Sequence, residues 1–129
     1  MLTITKALAA VMALTLTANA APTPETENMN ELDARDNGDF TWYHTGLGAC
    51  GWTNHNGELV AAVGHALYDR TRPCGRRIRA HHRGKSIVVT VVDRCEGCKD
   101  NDVDFTPEGF KRLVGSLGPG RVRGTWEFI

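Results

Sequence analysis

No run of about 20 apolar residues, the length a bilayer demands, occurs in this 129-residue chain. The longest apolar run, residues 7–16, follows Lys6 and precedes Ala18-Asn19-Ala20. That order makes residues 1–20 a secretory signal with an A-x-A cleavage site, and no membrane partner is expected. Aromatic residues are scarce, at 7%, and are not interleaved with the arginines, which argues against nucleic acid as a partner. Gly46-Leu47-Gly48-Ala49-Cys50-Gly51 is followed by neither a lysine nor a helix start, so it is no phosphate cradle. No second short-spaced pair accompanies Cys95-Glu96-Gly97-Cys98, and Cys50 and Cys74 stand apart. A zinc site therefore lacks half its ligands, even with His81 and His82 available. No internal repeat appears at a fixed long period. No metal and no cofactor are expected.

All four cysteines lie beyond residue 36, and an even count in a short secreted chain reads as disulfides, with three pairings open. A redox role would want a helix directly after Cys98, but Asp100-Asn101-Asp102 is loop chemistry that raises a thiol pKa. Residues 21–35 carry Pro22, Pro24, Glu25, Glu27, Glu31 and Asp33 and cannot bury enough surface to order themselves. They end in Leu32-Asp33-Ala34-Arg35, so the segment is either a disordered tail or a propeptide cut after Arg35. Residues 36–129 make one small domain, in which covalent staples are useful. The formal charge of zero hides a division. The early segment is acidic, whereas Arg70, Arg72, Arg76, Arg77, Arg79, Arg83 and Lys85 form a basic block. Within it Arg77, Arg79 and His81 share one face, with Arg83 and Lys85 returning beside them. Such a stripe suits acidic polysaccharide; a solvated strand edge that discourages aggregation is the commoner role.

The pattern is mainly β. Residues 38–43, with Phe40, Trp42 and Tyr43, read as a first strand and residues 59–63 as a short apolar one. Residues 76–82 alternate, Arg83-Gly84 turns, and residues 86–92 are β-branched enough for a strand buried on both faces. Thr106 is a helix N-cap and Pro107 a first helical residue, with Phe110, Leu113, Val114 and Leu117 on one face. Gly118-Pro119-Gly120 stops that helix, and residues 122–129 form a last strand presenting Trp126 and Phe128 together.

Five motifs occur in a telling order: Thr41-Trp42-Tyr43, Gly48-Ala49-Cys50-Gly51-Trp52, Cys74-Gly75, Val91-Val92-Asp93-Arg94-Cys95 and Val103-Asp104-Phe105-Thr106-Pro107. With them residues 38–129 resemble the secreted double-psi β-barrel proteins, in the fungal branch of the rare-lipoprotein-A-like (RlpA-like) group. Barwin, kiwellins and the first domain of expansins are related. The domain is expected to be a monomer, and the resemblance implies a six-stranded double-psi barrel with one or two short helices. It also implies a shallow polar groove used on cell-wall polysaccharide or on partner proteins, and disulfides Cys50–Cys74 and Cys95–Cys98. Asp104 matches the aspartate that expansins and RlpA-like lytic transglycosylases keep before their helix. Asp93 matches the one closing the buried strand, and Thr41 the threonine of the first strand. His65, in Gly64-His65-Ala66-Leu67, matches the groove histidine of the transglycosylase branch, with an insertion before Pro73.

Each residue also has a plainer role. Asp104 can serve the helix dipole, an effect of about 0.3–1 kcal/mol, and Thr41 can be an ordinary strand threonine. Asp93 is expected to accept backbone amides of the loop it ends in, and alternation directs Arg94 away from it. Trp42 and Trp126 read as core, whereas Trp52, beside Cys50, is the better sugar-stacking residue. His44, His55, His81 and His82 read as exposed. Three functions follow in order. The first is a non-catalytic, expansin-like module binding wall polysaccharide, with Thr41, Trp52, Asp93 and Asp104 lining the groove. The second is a glycan-cleaving enzyme. Hydrolysis needs two carboxylates, and neighbouring cations would lower the pKa of Asp93 rather than raise it. A lytic step would use Asp104 as the acid, with His65 helping. The third is a secreted effector or cysteine-protease inhibitor that binds protein through its rim loops.

Overall fold

The computed structural model describes residues 37–129; the expected signal and the acidic segment lie outside the described residues. The first half contains β1 (Gly38–Trp42), β2 (Val60–Gly64), α1 (His65–Thr71) and β3 (Arg77–His82). Then come β4 (Lys85–Cys95), β5 (Val103–Phe105), α2 (Pro107–Val114) and β6 (Val122–Phe128). The strands close into a barrel in the order β1-β5-β2-β4-β3-β6, which leaves no edge open to another chain. β1 runs parallel to β5, and β2 parallel to β4. This is the six-stranded barrel with short helices that the resemblance implies, and both implied disulfides, Cys50–Cys74 and Cys95–Cys98, are formed.

Alternation fills the interior. Phe40, Ile78, Val89, Val91, Val103, Phe105 and Trp126 point inward from the strands, and Phe110 and Leu113 pack onto them from α2. The rings of Phe40 and Phe105 meet edge-on at 5.0 Å, a geometry favoured by the aromatic quadrupole. Arg83 and Gly84 both take positive φ, 48° and 83°, the two-residue turn whose twist suits a hairpin. Thr106 caps α2 as expected. Its Oγ1 accepts from Gly109 N–H at 3.1 Å and donates to the Glu58 carbonyl at 2.6 Å.

Several elements depart from the sequence reading. The helix ends before Gly118, because Gly115 takes the left-handed conformation and returns its N–H to the Lys111 carbonyl. β4 extends beyond residues 86–92, since a register shift between Ala61 and Ala62 lets β2 follow it as far as Cys95. It is not buried on both faces. Val89, Val91 and Val92 are covered while Ile87, Val88 and Thr90 are part-exposed, because a barrel strand has solvent on its outer side. The cationic stripe on β3 is interrupted: Glu127 of β6 stands opposite Arg79 and lies 3.0 Å from His81 Nε2. His81 and His82 are accordingly half-buried rather than exposed. α1 and the three-residue β5 carry too little pattern to be seen in sequence. Among the described residues no helix is long and apolar enough to cross a membrane.

Candidate binding cleft around Asp104

β5 is three residues long, and its outer two, Val103 and Phe105, are fully buried. Asp104 must therefore face the opposite way. Parallel pairing sets Thr41 of β1 directly across from it, and Thr41 Oγ1 donates to Asp104 Oδ1 at 2.8 Å. The two open into a cleft of about 370 Å³ whose walls include Asp39, Trp42, Cys95, Gly97, Asp102 and Arg121. Burial pushes the Asp104 carboxyl above the usual aspartate range. The Thr41 bond and Arg121 oppose that shift, and the Asp93 charge adds to it. Oδ2 lies 3.9 Å from Cys95 Sγ, a disulfide sulfur with no proton to give. The sulfurs of Cys95 and Cys98 and the Asp104 carboxylate lie within 4.8 Å of one another. Because the sulfurs are bonded to each other, they offer no thiolate, and the donor set does not fit a metal.

The other carboxylates nearby are committed. Asp102 accepts the backbone N–H of Asp39 at 2.9 Å and of Lys99 at 2.8 Å. Asp39 receives Arg121 at 2.8 Å and Arg123 at 2.9 Å, and the Arg123 bond foremost holds its pKa low. Asp93 Oδ1 accepts the N–H of Ala49 at 2.7 Å and of Arg94 at 2.8 Å, while Oδ2 takes the Tyr43 hydroxyl at 3.1 Å. It is an anchor for the glycine loop, the plainer role read from sequence. A Cβ at Gly48 would sit 2.5 Å from the Val92 carbonyl and 3.2 Å from Asp93 Cγ, so glycine is required for that approach. Burial also pushes the Tyr43 phenol upward, with Asp93 and Asp104 adding to the shift.

The remaining sequence candidates are scattered. Trp52 is 47% exposed on the loop closed by the Leu47–Thr53 bridge, beside Gly75, and does not line the Asp104 cleft. His65 opens α1, outside the cleft lining, with its Nδ1 buried and unpartnered. Arg94 turns from Asp93 as alternation indicates, and grips Asp69 with Nε and Nη2, both at 2.9 Å, while Nη1 pairs with Glu96. Trp42 packs against the core, as its strand position indicates, and its half-buried ring also walls the cleft, with the indole N–H reaching the Leu117 carbonyl at 3.3 Å. Sequence reading missed Asp39 and Asp102. Both stand two residues from a recognised member, Thr41 and Asp104, the spacing that keeps strand side chains on one face.

No protein-family model matches the chain. An Allergen Asp f 7 homolog of Arthroderma benhamiae is 34% identical over 110 residues, which cover 71% of this chain. The chain spans only 38% of that protein's length. The Papain inhibitor of Streptomyces mobaraensis is 30% identical over 101 residues, covering 71% of this chain and 70% of the inhibitor. A solved Streptomyces papain inhibitor superposes with a TM-score of 0.65 at 26% identity, covering 74% of this chain and 94% of that one. An expansin of Clavibacter michiganensis, solved as a mutant in complex with cellohexaose, gives a TM-score of 0.64. At 22% identity, covering 72% of this chain and 49% of its own, it shares the fold alone. The chain belongs to the double-psi β-barrel family that its motifs resemble, together with the papain inhibitor of Streptomyces mobaraensis.

Proposed function

We propose that the domain is a secreted, non-catalytic module that holds a stretch of cell-wall polysaccharide in the Asp104 cleft. One observation carries this reading: among the described carboxylates in or beside the cleft, Asp39, Asp93 and Asp102 are tied at both oxygens to arginines, backbone amides or a phenol, whereas Asp104 accepts Thr41 at Oδ1 and has no proton donor at Oδ2. Two-carboxylate hydrolysis wants a second, uncommitted carboxylate as base or nucleophile. One carboxyl group beside a threonine hydroxyl and an indole face suits sugar hydroxyls and the apolar side of a sugar ring instead. The expansin solved with cellohexaose lends support, since its barrel has the same fold. Secretion is supported by the signal-like residues 1–20 and by two disulfides. Retention on chitin, cellulose, β-glucan, pectin or peptidoglycan, with no new reducing ends in a parallel assay, is the expected result. Release of ends would make the domain an enzyme with Asp104 as its acid.

A second reading, protein binding of the protease-inhibitor kind, is favoured by a different loop. Leu47 is 75% exposed and Trp52 47% exposed. Both sit on a loop pinned by the Leu47–Thr53 bridge and the Cys50–Cys74 disulfide. A preorganised apolar loop loses little entropy on docking, and a relative is named for inhibiting papain. Papain titrated with the protein should lose activity under this reading and keep it with Leu47→Ala/Trp52→Ala. No inhibition by the unmodified protein removes this reading.

A further inference from the structure

A second cleft, about 770 Å³, lies on the other side of Arg121, which lines both. The β3–β4 hairpin supplies Arg83 and Lys85; Arg121, just before β6, and Arg123, within it, complete the cationic lining. Among the described residues no aspartate or glutamate lines it. Arg83 and Lys85 are exposed and have no ion-pair partner among the described residues. Asp39 holds the Arg121 and Arg123 guanidiniums, one carboxylate oxygen to each, and Arg123 also donates to the Asn37 carbonyl at 3.2 Å. A guanidinium has five N–H donors, so both keep donors to spare. His82 Nδ1 donates to the Arg123 carbonyl at 2.8 Å, which orients the ring beside them. Val114, Pro119 and Val122 give the cleft an apolar floor.

We propose that this cleft is a carboxylate-recognising site for acidic polysaccharide, a run of uronate residues, separate from the Asp104 cleft and independent of what that cleft binds. Planar guanidiniums held in place pair with carboxylates through parallel N–H donors. Arg83, in the two-residue turn, and Lys85, at the start of β4, line the same cleft. The apolar floor takes the C–H faces of the sugar rings. A folded acidic protein is the poorer occupant, because among the described residues no Trp, Tyr or Phe lines the cleft, and buried aromatic anchors carry most protein interfaces.

Calorimetric titration of oligogalacturonate into the protein tests this, with cellohexaose and polyglutamate as the comparison probes. Binding of oligogalacturonate should weaken as salt rises, since exposed charges are screened over about 8 Å at physiological ionic strength. Arg83→Gln/Lys85→Gln should reduce it by about three- to tenfold, the range that two exposed ion pairs supply. Arg70→Gln, an exposed cation that lines neither cleft, should leave it within about twofold. Wild-type affinity in the hairpin variant, or salt-insensitive binding, would overturn the assignment. Polyglutamate binding as tightly as oligogalacturonate would also overturn it, in favour of an acidic protein surface. Loss of cellohexaose binding in Asp104→Asn bears only on the other cleft.

Discussion

Thr41 Oγ1 donates to Asp104 Oδ1 at 2.8 Å across a parallel strand pair, joining residues 63 positions apart in the chain. That bond favours the charged carboxylate and burial favours the neutral acid; burial is the larger influence. Thr41→Val keeps the strand and its shape but removes the donor. The Asp104 pKa should rise further, as read from its carboxyl carbon in an NMR titration. An unmoved titration would mean the bond does not tune the group.

The same balance sets a pH dependence. Because the folded pKa of Asp104 is raised, its contribution to stability is complete below the unfolded value near 3.9. It is lost as pH rises through the folded value. A neutral amide escapes that loss while still accepting from Thr41. Asp104→Asn should therefore melt at or above the wild-type temperature at pH 7, and the difference should shrink towards pH 3. A clear drop in melting temperature at pH 7 would make Asp104 a structural residue instead.

Asp93 should behave in the opposite way. Asp93→Ala strips an acceptor from the Ala49 and Arg94 amides and from the Tyr43 hydroxyl. Leaving such donors unpaired costs about 2–3 kcal/mol, measurable by denaturant unfolding. A cost below about 0.5 kcal/mol, the size of an ordinary surface change, would deny Asp93 its anchoring role.

The two disulfides should separate stability from binding. Cys50–Cys74 spans 24 positions, a loop whose closure is worth about 3 kcal/mol in chain-entropy terms. Cys95–Cys98 spans only 3 and stabilises less, yet Cys95, Gly97 and Cys98 wall the Asp104 cleft. Cys50→Ser/Cys74→Ser should unfold far more easily. Cys95→Ser/Cys98→Ser should lose glycan retention more than stability, and equal stability losses in the two would contradict this ranking.

Local chemistry was the legible part of this fold. Thr106-Pro107 announces a cap, and Arg83-Gly84 announces a hairpin, because each works through neighbours in sequence. The motifs marked Thr41, Asp93 and Asp104, but not which of the two aspartates would stay available. That depends on the glycine loop folding back so that Ala49 reaches Asp93 across 44 positions. Adjacency to Cys50 suggests a groove position for Trp52, yet the Cys50–Cys74 bond places that loop beside Gly75, outside the Asp104 cleft lining. Arg121 was invisible as a site residue because its place between two clefts comes from barrel closure, which no short pattern encodes.

The most direct test of a glycan-binding Asp104 cleft is amide chemical-shift mapping on isotope-labelled protein titrated with cellohexaose and with chitohexaose. At least one sugar should give saturable shifts clustered on Thr41, Trp42, Gly97, Asp104 and Gly120, abolished in Asp104→Asn, with the oligosaccharide recovered intact. Shifts confined to the Leu47–Trp52 loop, shifts unaffected by Asp104→Asn, or cleavage of the sugar would contradict the account.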